Sequence, residues 1–202
     1  MNRMLRQRSG AGLLIGLSSF FVTCTAAHAH LGVEGVGELG NGALHPLMSP
    51  AHVLMFLSLA LLLGQQVPFD LKMPLRIFAP TSAVALLFTL TGWIVEVYLP
   101  LLVLMALLIA ILVALEIKIP SWVGGLLCVA VAVGIGLDSA PGKGSALKAL
   151  VGTWLSLNAV LFYIAMCASN GADRPWSRTA IRVIGSWIIA ISLLVLAFSL
   201  RK

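Results

Sequence analysis

The chain has 202 residues, of which 60% are hydrophobic and only 10% charged, against roughly 45–50% and 25% in ordinary soluble domains. Thirteen basic and seven acidic side chains give a net charge of +6, and the mean hydropathy is +1.05. So few charges cannot cover a soluble domain of this length, which excludes disorder, a soluble single-core fold and a nucleic-acid module with a solvated basic face.

The first element is an export signal. Arg3, Arg6 and Arg8 precede the apolar stretch Ala11 to Val22, followed by Cys24-Thr25-Ala26-Ala27-His28-Ala29. A basic n-region, a short h-region and an A-x-A pattern predict a cleaved signal over residues 1–29, with Ala27 as the alternative cut. Cleavage after Ala29 makes His30 the first mature residue, with an amine and an imidazole side by side. A cut after Ala27 leaves His28-Ala29-His30, donors that suit a tetragonal copper or nickel site or simply a flexible terminus. Residues 30–44 read as a lead-in on the outer side of the membrane. Glu34 and Glu38 lie there among Gly32, Gly35, Gly37, Gly40 and Gly42, a pattern of mobile backbone.

Residues 45–202 read as an all-α, polytopic membrane bundle of six transmembrane helices. Residues 39–69, 77–95, 97–115, 119–137, 149–172 and 183–200 contain no Asp, Glu, Lys or Arg. Each run, at about 1.5 Å per residue, crosses most or all of a roughly 30 Å hydrocarbon layer. None alternates as a membrane strand does. The predicted helices are 49–66, 75–96, 99–117, 120–138, 147–169 and 179–200, joined by turns such as Val67-Pro68-Phe69-Asp70 and Ala140-Pro141-Gly142-Lys143-Gly144. Export of the N-terminus places both termini in the periplasm. The inner loops then hold Lys72, Arg76, Lys118, Arg174, Arg178 and Arg182, and the outer ones Lys143, Lys148, Arg201 and Lys202, as positive-inside bias requires.

Polar groups at membrane depth are few. The densest cluster is His45-Pro46-Leu47-Met48-Ser49-Pro50-Ala51-His52. Ser49 and Pro50 read as N-cap and N1 of a helix, with His52 in its first turn. His45 precedes a proline, which favours extended backbone. Seven residues apart on one straight helix, the two histidines stand about 10 Å apart along the axis. A fold-back at Pro46 and Pro50 closes that gap. The imidazoles then suit nickel, zinc, copper or cobalt, with Met48 and Met55 as soft neighbours. Interfacial histidines bonded to backbone carbonyls fit the same spacing. Glu96 follows Trp93 at a helix end, as a solvated acid or as a carboxylate facing the histidines. Thr153, Ser156 and Asn158 share one helix and suit interhelical hydrogen bonding. Asp138 reads as a solvated loop start, and Glu116 with Lys118 as an interfacial pair. Cys128 and Cys167 read as small buried hydrophobes. There is no P-loop around Lys143, no Gly-x-Ser-x-Gly and no His-Glu-x-x-His, so no enzyme is expected.

The histidine segment resembles the HupE/UreJ family of bacterial membrane proteins, whose first helix carries His-Pro-Leu-x-Gly-x-Asp-His. The signal, the six helices, the Leu99-Pro100 step and the overall length are similar too. Ser49 and Ala51 stand where the family has glycine and aspartate. A family glutamate falls near Val103, and a later histidine-rich stretch falls over 133–141, where this chain has Asp138. The resemblance implies an inner-membrane secondary permease that moves nickel, or cobalt, for hydrogenase or urease without ATP. It would hold no tightly bound cofactor; its partners are the lipid bilayer, the metal ion and, compatibly, further copies of itself. The alternative is a non-transporting accessory subunit that keeps the fold and has lost the site.

Overall fold

The computed structural model describes residues 33, 35–66, 72–91, 98–139, 146–172 and 174–201. Every regular element among them is helical: α1 (Gly37–Met48), α2 (Pro50–Gly64), α3 (Lys72–Phe88, with a 3-10 turn at Thr89–Thr91), α4 (Leu99–Ala114), α5 (Ser121–Asp138), α6 (Ala146–Gly171) and α7 (Pro175–Ser199). The predicted signal peptide and the mature start, His30 included, lie outside the described residues, as does Glu96.

Four helices are long and apolar enough to span a membrane. The bent pair α1–α2 makes a fifth candidate, and α4 is a shorter apolar helix. Proline is the first residue of α2 and α7 and the second of α4, where its missing N–H costs no helical bond. The protein is therefore a multi-pass membrane protein.

α2 lies at the centre and is buried on almost every face, against α4 and α6. Met55, Leu59, Ala60 and Leu62 form the core with Phe78, Ala106, Ala110 and Leu161, all completely buried. Outward faces carry Trp122, Tyr163, Trp187 and Phe198, the apolar surface that lipid covers. Cys128 is buried, but Cys167 is exposed on α6, so only the first behaves as a core residue.

The helices alternate between two ends. At one, Gln66 accepts from the Ile119 N–H at 3.1 Å and donates to the Ile117 carbonyl at 3.3 Å. Arg182 donates to the Ala114 carbonyl at 3.1 Å, satisfying a group left open where α4 stops. Arg178, not Lys118, pairs with Glu116, its Nε lying 2.6 Å from Oε1. Glu116 turns the chain there with φ 55°. The other end holds the α1–α2 junction, the last turn of α5 and the first turns of α6.

α1 departs from the sequence reading. Gly37–Met48 is helical where the glycines pointed to mobile backbone, and His45 and Pro46 lie inside the helix rather than in an extended segment. The reason is tertiary packing. A Cβ on Gly42 would lie 1.9 Å from the Ala149 carbonyl oxygen, and one on Gly152 2.0 Å from the Leu39 oxygen. The glycines bring α1 and α6 together backbone to backbone, and that contact overrides the local bias before proline.

Candidate metal centre

Ser49 breaks the chain between α1 and α2. It is extended (φ −87°, ψ 113°), and Pro50 follows as N1, so the second helix starts in a new direction. The two axes differ by 75°. The break carries His45, one turn before it, towards His52, one turn after it. Their ring centroids stand 5.9 Å apart with an interplanar angle of 65°. An ion about 2.0–2.1 Å from one nitrogen of each ring sets the ring centres roughly 4.5–6.5 Å apart. The bend at Ser49 and Pro50 thus brings the pair within range of a shared ion, while Pro46, expected to share in the fold-back, stays inside α1.

His52 is 1% exposed. Its Nε2 lies 2.7 Å from Oδ2 of Asp138, the last residue of α5. Where the carboxylate accepts, Nε2 donates, and the neutral imidazole then has its lone pair on Nδ1. Nδ1 is buried and has no hydrogen-bond partner. A buried acceptor of this kind is costly without a donor or a cation. Carboxylate on one imidazole nitrogen and metal on the other is the common way to orient a ligating histidine and raise its basicity.

Asp138, which the sequence reads as a solvated loop start, instead meets His52. The sequence marks it only as the acid that ends an otherwise charge-free helix, with nothing local to tie it to His52.

Of the remaining candidates, His30 and Glu96 lie outside the described residues. Met48 is exposed at the end of α1. Met55 is fully buried, its methyl group towards Gly134 of α5, in a packing position. Among the described residues, no group of three or more His, Cys, Asp or Glu is arranged to hold an ion. The arrangement is two imidazoles with one carboxylate on the far side of His52.

At the opposite end of α2, about 20 Å away by helix rise, a cavity of about 260 Å³ is lined by Gln65, Gln66, Glu116, Lys118 and Arg178 among others. Between the two ends α2 is packed in apolar side chains, with Ser58 bonded to the Met55 carbonyl at 2.8 Å.

A multi-pass helical membrane protein with a histidine pair at a broken first span is the class that these features define. The chain belongs to the HupE / UreJ protein family, whose model it matches over residues 18–195. Nothing among curated proteins or solved structures matches it significantly.

Proposed function

We propose that the protein is a secondary permease of the bacterial inner membrane that takes up a divalent transition-metal cation, nickel first and cobalt second. Family membership supports the class. The observation that carries the site is the pairing of His45 and His52 at 5.9 Å across the break, with Asp138 on the far nitrogen of His52. Two neutral imidazoles suit nickel and cobalt better than calcium or magnesium. A small ligand set holds the ion weakly enough to release it, which passage requires.

Orientation follows from charge. Among the described residues, Lys72, Arg76, Lys118, Arg174, Arg178 and Arg182 lie at the end away from His52, while Lys148 and Arg201 lie at the histidine end. Positive-inside bias puts the histidine end outside. With the short α4 as a sixth span and an exported start, both termini are periplasmic. His45 and His52 then form the entry site. His30 and Glu96, both outside the described residues, remain sequence-based candidates for further ligands. The ion leaves past Leu59 and Leu62, which are fully buried, so passage requires helices to part.

The second reading is an accessory subunit that keeps the fold without transport. It is favoured by the lack, among the described residues, of a third close ligand. Uptake of a panel of divalent metals into proteoliposomes separates the two. The permease accumulates nickel or cobalt above empty liposomes, and the His45→Ala/His52→Ala protein does not. Equal accumulation by both proteins excludes the entry site.

A further inference from the structure

We propose that Thr153 is a positioning residue for the His45 half of the site, because it replaces the helical hydrogen bond that Pro46 removes. The proposal rests on the metal-entry reading for its functional meaning. Its structural basis stands apart from it.

In an α-helix the carbonyl of residue i accepts from the N–H of residue i+4. Pro46 lies inside α1 and has no N–H, so the carbonyl of Gly42 loses its donor within the helix. Gly42 is buried, away from water that would fill the gap. The Thr153 hydroxyl of α6, itself 3% exposed, lies 2.8 Å from the Gly42 oxygen. That hydroxyl is also 3.0 Å from the Ala149 oxygen. The Ala149 carbonyl, however, already has its helical donor in the N–H of Thr153. The single hydroxyl proton is therefore needed at Gly42.

The approach depends on Gly42 and Gly152, whose missing side chains let the two backbones touch. The consequence reaches His45, three residues after Gly42. α1 packs chiefly against α6 and only lightly against α2. Ser49 interrupts the helix between α1 and α2, so helical continuity does not set their angle. The clamp on α6 sets it instead, and with it the separation of His45 from His52. Proline beside the histidine and threonine on a distant helix thus form one device: the first exposes a carbonyl, and the second ties it down.

The test uses the full chain in lipid nanodiscs. Thr153→Val keeps the side-chain shape and removes the donor, and Thr153→Ser keeps the donor. Two quantities are read: hydrogen exchange of residues 37–48 without metal, with residues 175–199 as internal control, and Ni²⁺ affinity by titration. Thr153→Val should speed exchange of 37–48 about fivefold, as expected for one lost hydrogen bond, and leave 175–199 unchanged. It should weaken Ni²⁺ binding about tenfold, the scale of a lost supporting contact. Thr153→Ser should restore both to wild-type values. Pro46→Ala returns an N–H to α1, so Thr153→Val on that background should change exchange much less than it does beside Pro46.

Exchange of 37–48 that is the same in wild type and Thr153→Val overturns the clamp. An equal effect of Thr153→Val with and without Pro46 overturns the assignment of the open carbonyl to Pro46. Faster exchange with unchanged Ni²⁺ affinity overturns the positioning of His45 for metal. If exchange responds as expected but the wild-type protein shows no Ni²⁺ affinity, the clamp holds and the metal-entry reading fails.

Discussion

His52 and Asp138, 86 positions apart in the chain, meet with Nε2 and Oδ2 2.7 Å apart, on helices that begin and end at the same level of the bundle. The contact holds a buried imidazole in one orientation and leaves its Nδ1 without a protein partner. It joins the first span to the fifth helix at the point where the proposed ion enters.

Replacing Asp138 should separate stability from affinity. Asp138→Asn keeps an acceptor for His52 and should leave thermal stability near wild type. It removes the negative charge that raises imidazole basicity, so Ni²⁺ affinity should fall about tenfold or more. Asp138→Ala also leaves a buried N–H unpaired, at a cost of about 1–3 kcal/mol. Thermal melting and nickel titration of the two variants check this; equal affinity in all three proteins contradicts the orienting role.

The α1–α6 contact should tolerate no added carbon. Gly42→Ala and Gly152→Ala push a methyl group against a backbone oxygen, and overpacking of this kind costs about 1–3 kcal/mol. Gly124→Ala is the control, since a Cβ there meets its nearest atom at 3.6 Å, an ordinary contact. Melting midpoints should drop for the first two and stay nearly unchanged for the third.

Much of this architecture is legible in the sequence, and the rest is hidden for physical reasons. Charge-free runs and Pro starts locate α2 and α4 to α7 within a few residues, and the start of α3, whose α-helix stops at Phe88 before the predicted end at 96, because hydrophobic length and helix-start chemistry are local properties. α1 is not legible in the same way. Its glycines weaken a helix by intrinsic propensity, and only the surface of α6 shows why they are there. The approach of His45 to His52 follows from the helix start at Ser49 and Pro50, not from Pro46, which stays helical. Asp138 does not, since nothing local links a residue at the end of α5 to the first turn of α2. Proximity along the chain makes Lys118 the expected partner of Glu116. The turn at Glu116 and the docking of α7 hand that carboxylate to Arg178 instead.

Glu116 offers a backbone test. Its φ of 55° is in the left-handed region, which costs a residue with a Cβ roughly 1–2 kcal/mol. Its ion pair with Arg178 is partly exposed, with side chains 29% and 54% accessible, and pairs of that kind contribute up to about 1 kcal/mol. Glu116→Ala loses the pair and keeps the strain, whereas Glu116→Gly loses both. The glycine protein should therefore melt above the alanine protein; the opposite order contradicts the strain.

The proposed orientation predicts reporter signals. A reporter that fluoresces only in the cytoplasm should stay dark when fused after Lys202 and light up when inserted near Asn170. The reverse pattern places His45 and His52 on the cytoplasmic side and removes them as an uptake entry site.

The most direct measurement is nickel X-ray absorption on the loaded, purified protein, reading the number of imidazole ligands. Wild type should show two imidazoles on one nickel ion. His45→Ala and His52→Ala should each show one at most and bind far more weakly. The double variant should lose little beyond either single change, because partners that share one ion are not additive. A spectrum with two imidazoles that persists in the double variant would contradict the account.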